Sequence, residues 1–135
     1  MISCWTLHLR CNGSWRDEAD RKYSLAVLSS LSGKSAVVPL LWFYEVGNGL
    51  VMAQRRKRIR PNQIQEFLAR LRTLPIDATE QTASEILNLP QLAQAHQLTN
   101  YDAAYLALAI ATNLPLATND SALRRAAARA GVKIL

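Results

Sequence analysis

The segment 98–120 constrains the fold most, because it predicts two helices, each with an acid at its start, separated by a short apolar strand. Thr99 and Asp102 have the spacing of a capping box, with aspartate in place of the usual glutamate. Asp120 stands at the expected N-cap of the last helix. In a parallel α/β sheet, groups that follow the strands meet at the carboxyl edge, so the two acids are expected at the same edge.

Helical and strand patterns alternate along the rest of the chain. The predicted helices cover residues 17–31, 39–56, 62–71, 82–87, 91–96, 99 onward and 121–130. The predicted strands cover residues 36–38, 74–76, 114–118 and 132–135. This order predicts a three-layer α/β fold, in which helices flank a short parallel sheet. Neither a repeat nor a linker is visible, so residues 1–135 are expected to form a single domain.

The composition favours an anionic partner. The net charge is +6, and basic residues cluster at 55–60 and at 124–129, which suits nucleic acid or an acidic protein. Solvated helix ends are an equally good interpretation of these clusters. No apolar run reaches the roughly 20 residues of a membrane span, and no signal peptide is indicated, so a cytoplasmic protein without membrane association is expected. Cys4 and Cys11 do not have the spacing of a zinc site.

Three acids are candidates for a shared site. Taken singly, Asp102 and Asp120 are adequately explained as helix caps, and Glu45 as a surface residue on an amphipathic helix. Taken together, they would meet beyond the carboxyl ends of the strands. Clustered carboxylates repel each other unless a cation neutralises them, and Mg²⁺ is bound by a few carboxylates while it retains several waters.

Three motifs resemble those of the PIN-domain ribonucleases, particularly the VapC toxins of toxin–antitoxin pairs. They are Pro-Leu-Leu-Trp-Phe-Tyr-Glu-Val-Gly-Asn at 39–48, Tyr-Asp-Ala-Ala-Tyr-Leu-Ala-Leu-Ala at 101–109, and Thr-Asn-Asp at 118–120. The resemblance implies an endoribonuclease that depends on Mg²⁺ or Mn²⁺, usually dimeric, which a cognate antitoxin holds inactive. It makes Glu45, Asp102 and Asp120 metal ligands and catalytic residues, with Asn48 and Thr118 in supporting roles.

The resemblance gives the basic cluster at 55–60 two alternative roles. Arg55, Arg56 and Arg58 would steer the RNA substrate toward the site, or they would face an acidic segment of the antitoxin. Charge alone does not separate these alternatives.

The first fifteen residues depart from the family pattern, in which a central strand ends in an aspartate. No acid precedes Asp17. If the third base of each codon is read with the first two of the next, Cys4 and Trp5 encode leucine, and Trp5 and Thr6 encode aspartate. With permissible codons elsewhere, the segment 3–15 becomes Val-Leu-Asp-Ala-Ser-Ser-Ser-Leu-Gln-Trp-Leu-Val. We therefore hypothesise a frameshift; the alternative is a divergent segment in which Trp5, Leu7 and Leu9 still alternate as a strand.

Two functions of different class follow. The first is a metal-dependent endoribonuclease toxin that uses Glu45, Asp102 and Asp120. The second is a catalytically impaired PIN-like protein that only binds antitoxin or RNA, because the first-strand aspartate is missing. A helix-turn-helix DNA-binding protein is a weaker third candidate, because no helix–turn–recognition-helix unit stands out.

Overall fold

The computed structural model describes residues 4–8, 26 and 29–135. The elements follow in chain order: β1 (Cys4–His8), β2 (Ser35–Pro39), α1 (Leu41–Arg55), α2 (Pro61–Leu71), β3 (Ile76–Thr79), α3 (Ala83–His96), α4 (Asn100–Thr112), β4 (Leu116–Thr118) and α5 (Ser121–Arg129). Most of the helix predicted at 17–31 lies outside the described residues; Ala26 and Ser29 are helical. Within the described residues, no helix is both long enough and apolar enough to span a bilayer.

The sheet is parallel throughout, with the strand order β3-β2-β1-β4. Thr6 of β1 pairs with Val37 on one side and with Leu116 on the other. At the carboxyl end of the sheet, His8 pairs with Thr118. The segment Cys4–His8 therefore supplies an inner strand of the sheet, as the alternation of Trp5, Leu7 and Leu9 predicts. The frameshift stays a hypothesis. The predicted α/β fold with a short parallel sheet is also confirmed.

The core lies between this sheet and the helices that pack on it. Helix α1 buries Trp42, Val46, Leu50 and Ala53, a spacing that places them on one face of a helix. Trp42, Val46 and Leu50 belong to a hydrophobic cluster that also contains residues of β2, α4, β4 and α5: Ala36, Val38, Tyr105, Leu106, Ala109, Leu116, Ala117, Leu123, Ala126 and Ala127. A second cluster joins α3 to α4. Helix α4, which carries the Asp102 motif, is thus buried on more than one side.

One predicted break is wrong, because α3 runs without interruption through Pro90. Proline removes a backbone N–H and normally kinks or ends a helix. Leu89 and Ala93, on either side of Pro90, are both buried against α4. This packing keeps the two halves in one helix, where the sequence predicted separate helices at 82–87 and 91–96.

Three predicted strands are displaced or shortened. β3 begins at Ile76, two residues later than expected, because Pro75 has no N–H to donate. β4 begins at Leu116, because the Leu114 N–H still donates to a carbonyl of α4. The strand predicted at 132–135 is reduced to a single bridge between Leu116 and Ile134. Val132 contributes its N–H to the end of α5 instead.

Candidate active site

Asp102 lies in the first turn of α4 and is only 9% exposed. Its backbone N–H donates to Thr99 Oγ1 at 3.1 Å, so the predicted cap by Thr99 is confirmed. The start of a helix is a favourable place for negative charge, because the helix dipole is positive there.

Asp120 follows β4 and is the N-cap of α5. Its Oδ1 accepts a hydrogen bond from the Leu123 N–H at 2.8 Å, and its own N–H donates to Thr118 Oγ1 at 3.1 Å. The carboxylate is 9% exposed. The capping interpretation of Asp120 is therefore confirmed, and the same side chain is held almost entirely out of solvent at the carboxyl end of the sheet.

Glu45 is half-buried on α1 and makes a hydrogen bond across the fold. The Tyr105 hydroxyl donates to Glu45 Oε2 at 2.6 Å, although sixty positions separate the two residues in the chain. Tyr105 is fully buried on α4, one turn after Asp102. This bond brings Glu45 to the helix that carries Asp102.

The two supporting residues have different environments. Thr118 is fully buried at the end of β4, and its hydroxyl orients the backbone of Asp120. Its carbonyl oxygen accepts a hydrogen bond from Arg124 Nη1 at 3.0 Å. Asn48 lies one turn after Glu45 on α1 and is exposed.

The predicted RNA-contacting residues Arg55, Arg56 and Arg58 are exposed and lie at and beyond the carboxyl end of α1. At 1.5 Å per residue, Arg55 lies about 15 Å from Glu45 along the helix axis. The cluster therefore does not form part of the acidic site, and any contact that it makes with RNA would be at a distance from the acids.

An apolar cleft is lined in part by Tyr44 and Tyr101, which precede Glu45 and Asp102 in the sequence. Its volume is about 290 Å³. Its lining is uncharged: Leu40, Leu41, Tyr44, Gln81, Ile86, Leu89, Asn100, Tyr101 and Ala104. Tyr44 and Tyr101 are 78% and 64% exposed. The spacing of Tyr101 and Tyr105 predicts that both pack in the core, which is right for Tyr105 and wrong for Tyr101.

The donor chemistry of the three acids fits a hard divalent cation, since carboxylate oxygens are the ligands that Mg²⁺ and Mn²⁺ prefer. Two of the three carboxylates are nearly buried, and each lies at the start of a helix, where the helix dipole favours negative charge. Within residues 4–8, 26 and 29–135, no group of three His, Cys, Asp or Glu side chains is close enough to hold a metal ion. The three acids thus have suitable oxygen ligands, but in the described part of the chain they are not gathered closely enough to form a complete metal site.

Two residues of this region, Tyr105 and Arg124, make contacts that the sequence did not predict. Tyr105 was assigned to packing, although its place three residues after Asp102 puts both on neighbouring positions of one helix face. Arg124 was assigned to an exposed basic cluster. Tyr105 contacts a distant segment, and Arg124 contacts a backbone carbonyl oxygen. Helical spacing does not reveal such contacts.

Comparisons with known proteins agree with this architecture. A family model described as "PIN domain" matches residues 13–129, beginning after β1. The chain is also similar to the crystal structure of PAE2754 from Pyrobaculum aerophilum, with a TM-score of 0.67 and 20% identity. That alignment covers 93% of this chain and 84% of the other. No curated protein matches. At this identity the structural likeness shows the fold alone, whereas the family model spans most of the chain.

Proposed function

The chain belongs to the PIN-domain family, whose members are generally nucleases, and from this premise we propose that it is a metal-dependent endoribonuclease toxin of the VapC type. One observation carries the proposal: Asp102 and Asp120, both about nine-tenths buried, begin two successive helices on either side of β4. Each carboxylate lies at the positive end of a helix and at the carboxyl edge of the sheet, where parallel α/β folds place their sites.

The proposed chemistry is hydrolysis of a phosphodiester bond in RNA. Glu45, Asp102 and Asp120 would hold Mg²⁺ or Mn²⁺, which when bound lowers the pKa of a water and stabilises charge on a phosphate. The chain's own groups orient these ligands: Tyr105 holds Glu45, and Thr118 holds the Asp120 backbone. The N-termini of α4 and α5 add a positive field that favours an anionic substrate.

The test is RNA cleavage by the purified chain with Mg²⁺ or Mn²⁺, repeated with excess chelator. We expect cleavage that the chelator abolishes and that Asp102→Asn reduces by at least 100-fold, on the order of what loss of one essential catalytic group costs. Asp77→Asn is the matched control, because Asp77 is exposed on the edge strand β3. Cleavage that persists in Asp102→Asn would contradict the assignment.

A second function, binding of RNA or antitoxin without cleavage, is supported by two observations. No acid precedes Asp17, and the described acids do not form a closed ligand cluster. A chain in which the segment 3–15 is replaced by its alternate-frame sequence separates the two functions. If this replacement restores cleavage to an inactive parent, the chain is an impaired nuclease. Inactivity of both would count against catalysis and against the motif assignment.

We also propose that two copies associate through the apolar cleft. Two chains of net charge +6 repel each other, and a surface without charged lining lets them meet at the lowest electrostatic cost. Exposed Tyr44 and Tyr101 are residues typical of the centre of an interface. We expect a dimer in light scattering that Tyr44→Glu converts to a monomer, and a monomeric parent chain would exclude this interface.

The cognate antitoxin is proposed from the family resemblance and the basic charge. An acidic segment of the antitoxin would be attracted to exposed Arg55, Arg56 and Arg58. Co-expression with the protein encoded by a neighbouring gene, followed by co-purification, tests this association. Replacement of the three arginines by glutamine should slow binding and reduce its dependence on salt.

A further inference from the structure

We propose that Tyr105 is a positioning residue, which fixes the Glu45 carboxylate for divalent-cation binding through the hydrogen bond from its hydroxyl. This inference rests on the proposed function, since it concerns one of the three proposed ligands. It assigns a role to a buried tyrosine that the family motif presents as part of a packed helix.

The burial of Tyr105 makes its hydroxyl informative. Tyr105 is fully buried in the same hydrophobic cluster as Val38, Trp42 and Leu106. A phenylalanine would fill this space equally well, whereas a buried hydroxyl is costly unless it finds a hydrogen-bond partner. The Glu45 carboxylate accepts this bond at 2.6 Å. Hydrogen bonds to an ionised oxygen are short and strong, and this distance is typical of them.

Glu45 benefits from such a bond more than either aspartate does. A glutamate side chain has more rotamer freedom than an aspartate, and binding a cation would require that freedom to be lost. Asp120 is already fixed by the Leu123 N–H. The bond from Tyr105 supplies the corresponding restraint for Glu45, and it does so from α4, the helix that also carries Asp102.

The function of ligand-orienting groups in metal sites supports this interpretation. Groups that hydrogen-bond to a ligand fix its orientation, and their loss typically weakens metal binding by roughly 10- to 100-fold. Tyr105 is fully buried and its hydroxyl donates to Glu45, so its proposed effect on cation binding is exerted through Glu45. If Tyr105 served stability alone, its removal would leave the cation affinity of the folded protein unchanged.

The experiment is Mn²⁺ titration of the full chain, followed by electron paramagnetic resonance, for the parent chain and for Tyr105→Phe. We expect Tyr105→Phe to weaken Mn²⁺ binding by roughly 10- to 100-fold. Thr112→Val is the control, because it removes a hydroxyl from the opposite end of the same helix, where Oγ1 donates to the Leu108 carbonyl oxygen, and this variant should bind as the parent does.

The variant Glu45→Gln distinguishes failure of the positioning role of Tyr105 from failure of the assignment of Glu45 as a ligand. In that background, Tyr105→Phe should have no further effect on Mn²⁺ affinity, because the residue through which it acts is gone. If Glu45→Gln weakens binding and Tyr105→Phe does not, the positioning role is overturned while the proposed ligand remains. If neither variant changes the affinity, Glu45 is not a ligand, and the site assignment of the proposed function fails along with the role of Tyr105. Thermal unfolding of each metal-free variant verifies that the titrated protein is folded.

Discussion

Arg124 donates a hydrogen bond from Nη1 to the carbonyl oxygen of Thr118, at 3.0 Å, and so ties the first turn of α5 to the last residue of β4. This contact holds the guanidinium group of Arg124, four residues after Asp120 in the sequence, near the carboxyl edge of the sheet. A fixed cation at that edge attracts phosphate.

We therefore predict that Arg124→Ala weakens binding of single-stranded RNA several-fold and lowers the salt dependence of the affinity by about one charge. Fluorescence anisotropy at a series of salt concentrations measures both. Arg125→Ala is the control, because Arg125 is exposed on the same turn. Equal effects of the two substitutions would show that only net charge matters.

Two substitutions of Asp120 should separate its structural and chemical roles. Asparagine caps helices about as well as aspartate, so Asp120→Asn should retain the stability of the parent and lose RNA cleavage. Asp120→Ala should lose cleavage and about 1 kcal/mol of unfolding free energy as well. Urea unfolding and a cleavage assay on the same preparations provide the comparison, and an active Asp120→Asn variant would exclude the carboxylate as a ligand.

Thr6 in the central strand offers a gain in stability. It is fully buried, and its Oγ1 has no hydrogen-bond partner among the described residues. Valine has nearly the same shape and no hydroxyl, so Thr6→Val should raise the free energy of unfolding by about 1 kcal/mol. A loss of stability in chemical denaturation would show that the hydroxyl is satisfied in solution.

Gly47 lies in the interior of α1, and a Cβ built there would meet nothing within 4 Å. Gly47→Ala should therefore stabilise the chain by about 1 kcal/mol, the difference in helix propensity. Gly131→Ala should act in the opposite direction, by about 1 kcal/mol, because Gly131 has a φ of +73° that alanine adopts at a cost. The midpoints of thermal unfolding test the opposite signs.

The start of α3 should contribute a pH-dependent part of the stability. The backbone hydrogen bond from Thr82, followed by the side-chain hydrogen bond with Thr82, holds the pKa of Glu85 below its ordinary value of 4.5. The stabilisation is therefore complete above that value and is lost as the pH falls through the lower pKa of the folded state. Glu85→Gln should lose stability at neutral pH and change less on acidification, with Glu66→Gln as the exposed control. Identical pH profiles for the two variants would contradict this.

Residue type and short-range spacing predicted much of the fold, because helix caps and apolar periodicity depend on residues that are close in the sequence. Thr99 and Asp120 were identified as caps from residue type and spacing, and each makes the expected bond to a backbone N–H. The predicted break between the helices at 82–87 and 91–96 is wrong, because a tertiary contact outweighs a local signal there. Burial of Leu89 and Ala93 against α4 overrides the local effect of Pro90, and that contact depends on the tertiary fold.

The candidate site shows the same limit. Motif order identified Glu45, Asp102 and Asp120 as a set, but it gave no means of distinguishing Tyr101 from Tyr105. Both have helical spacing, yet one is exposed and the other is fully buried. Which face of α4 meets the core depends on α1 and the sheet, and Tyr105 makes its hydrogen bond to Glu45 sixty positions away in the sequence.

The strand order has a consequence for synthesis of the chain. β1 precedes both of its neighbours in the chain. It can pair with β2 once Pro39 has left the ribosome, but its other edge waits for β4, more than a hundred residues later. Such distant pairing slows folding, and until then the nascent chain carries an unpaired strand edge that is prone to association. Asp102 and Asp120 also belong to this late portion. The carboxyl edge of the sheet at which these two acids stand is therefore complete only after β4 and the start of α5 have been made.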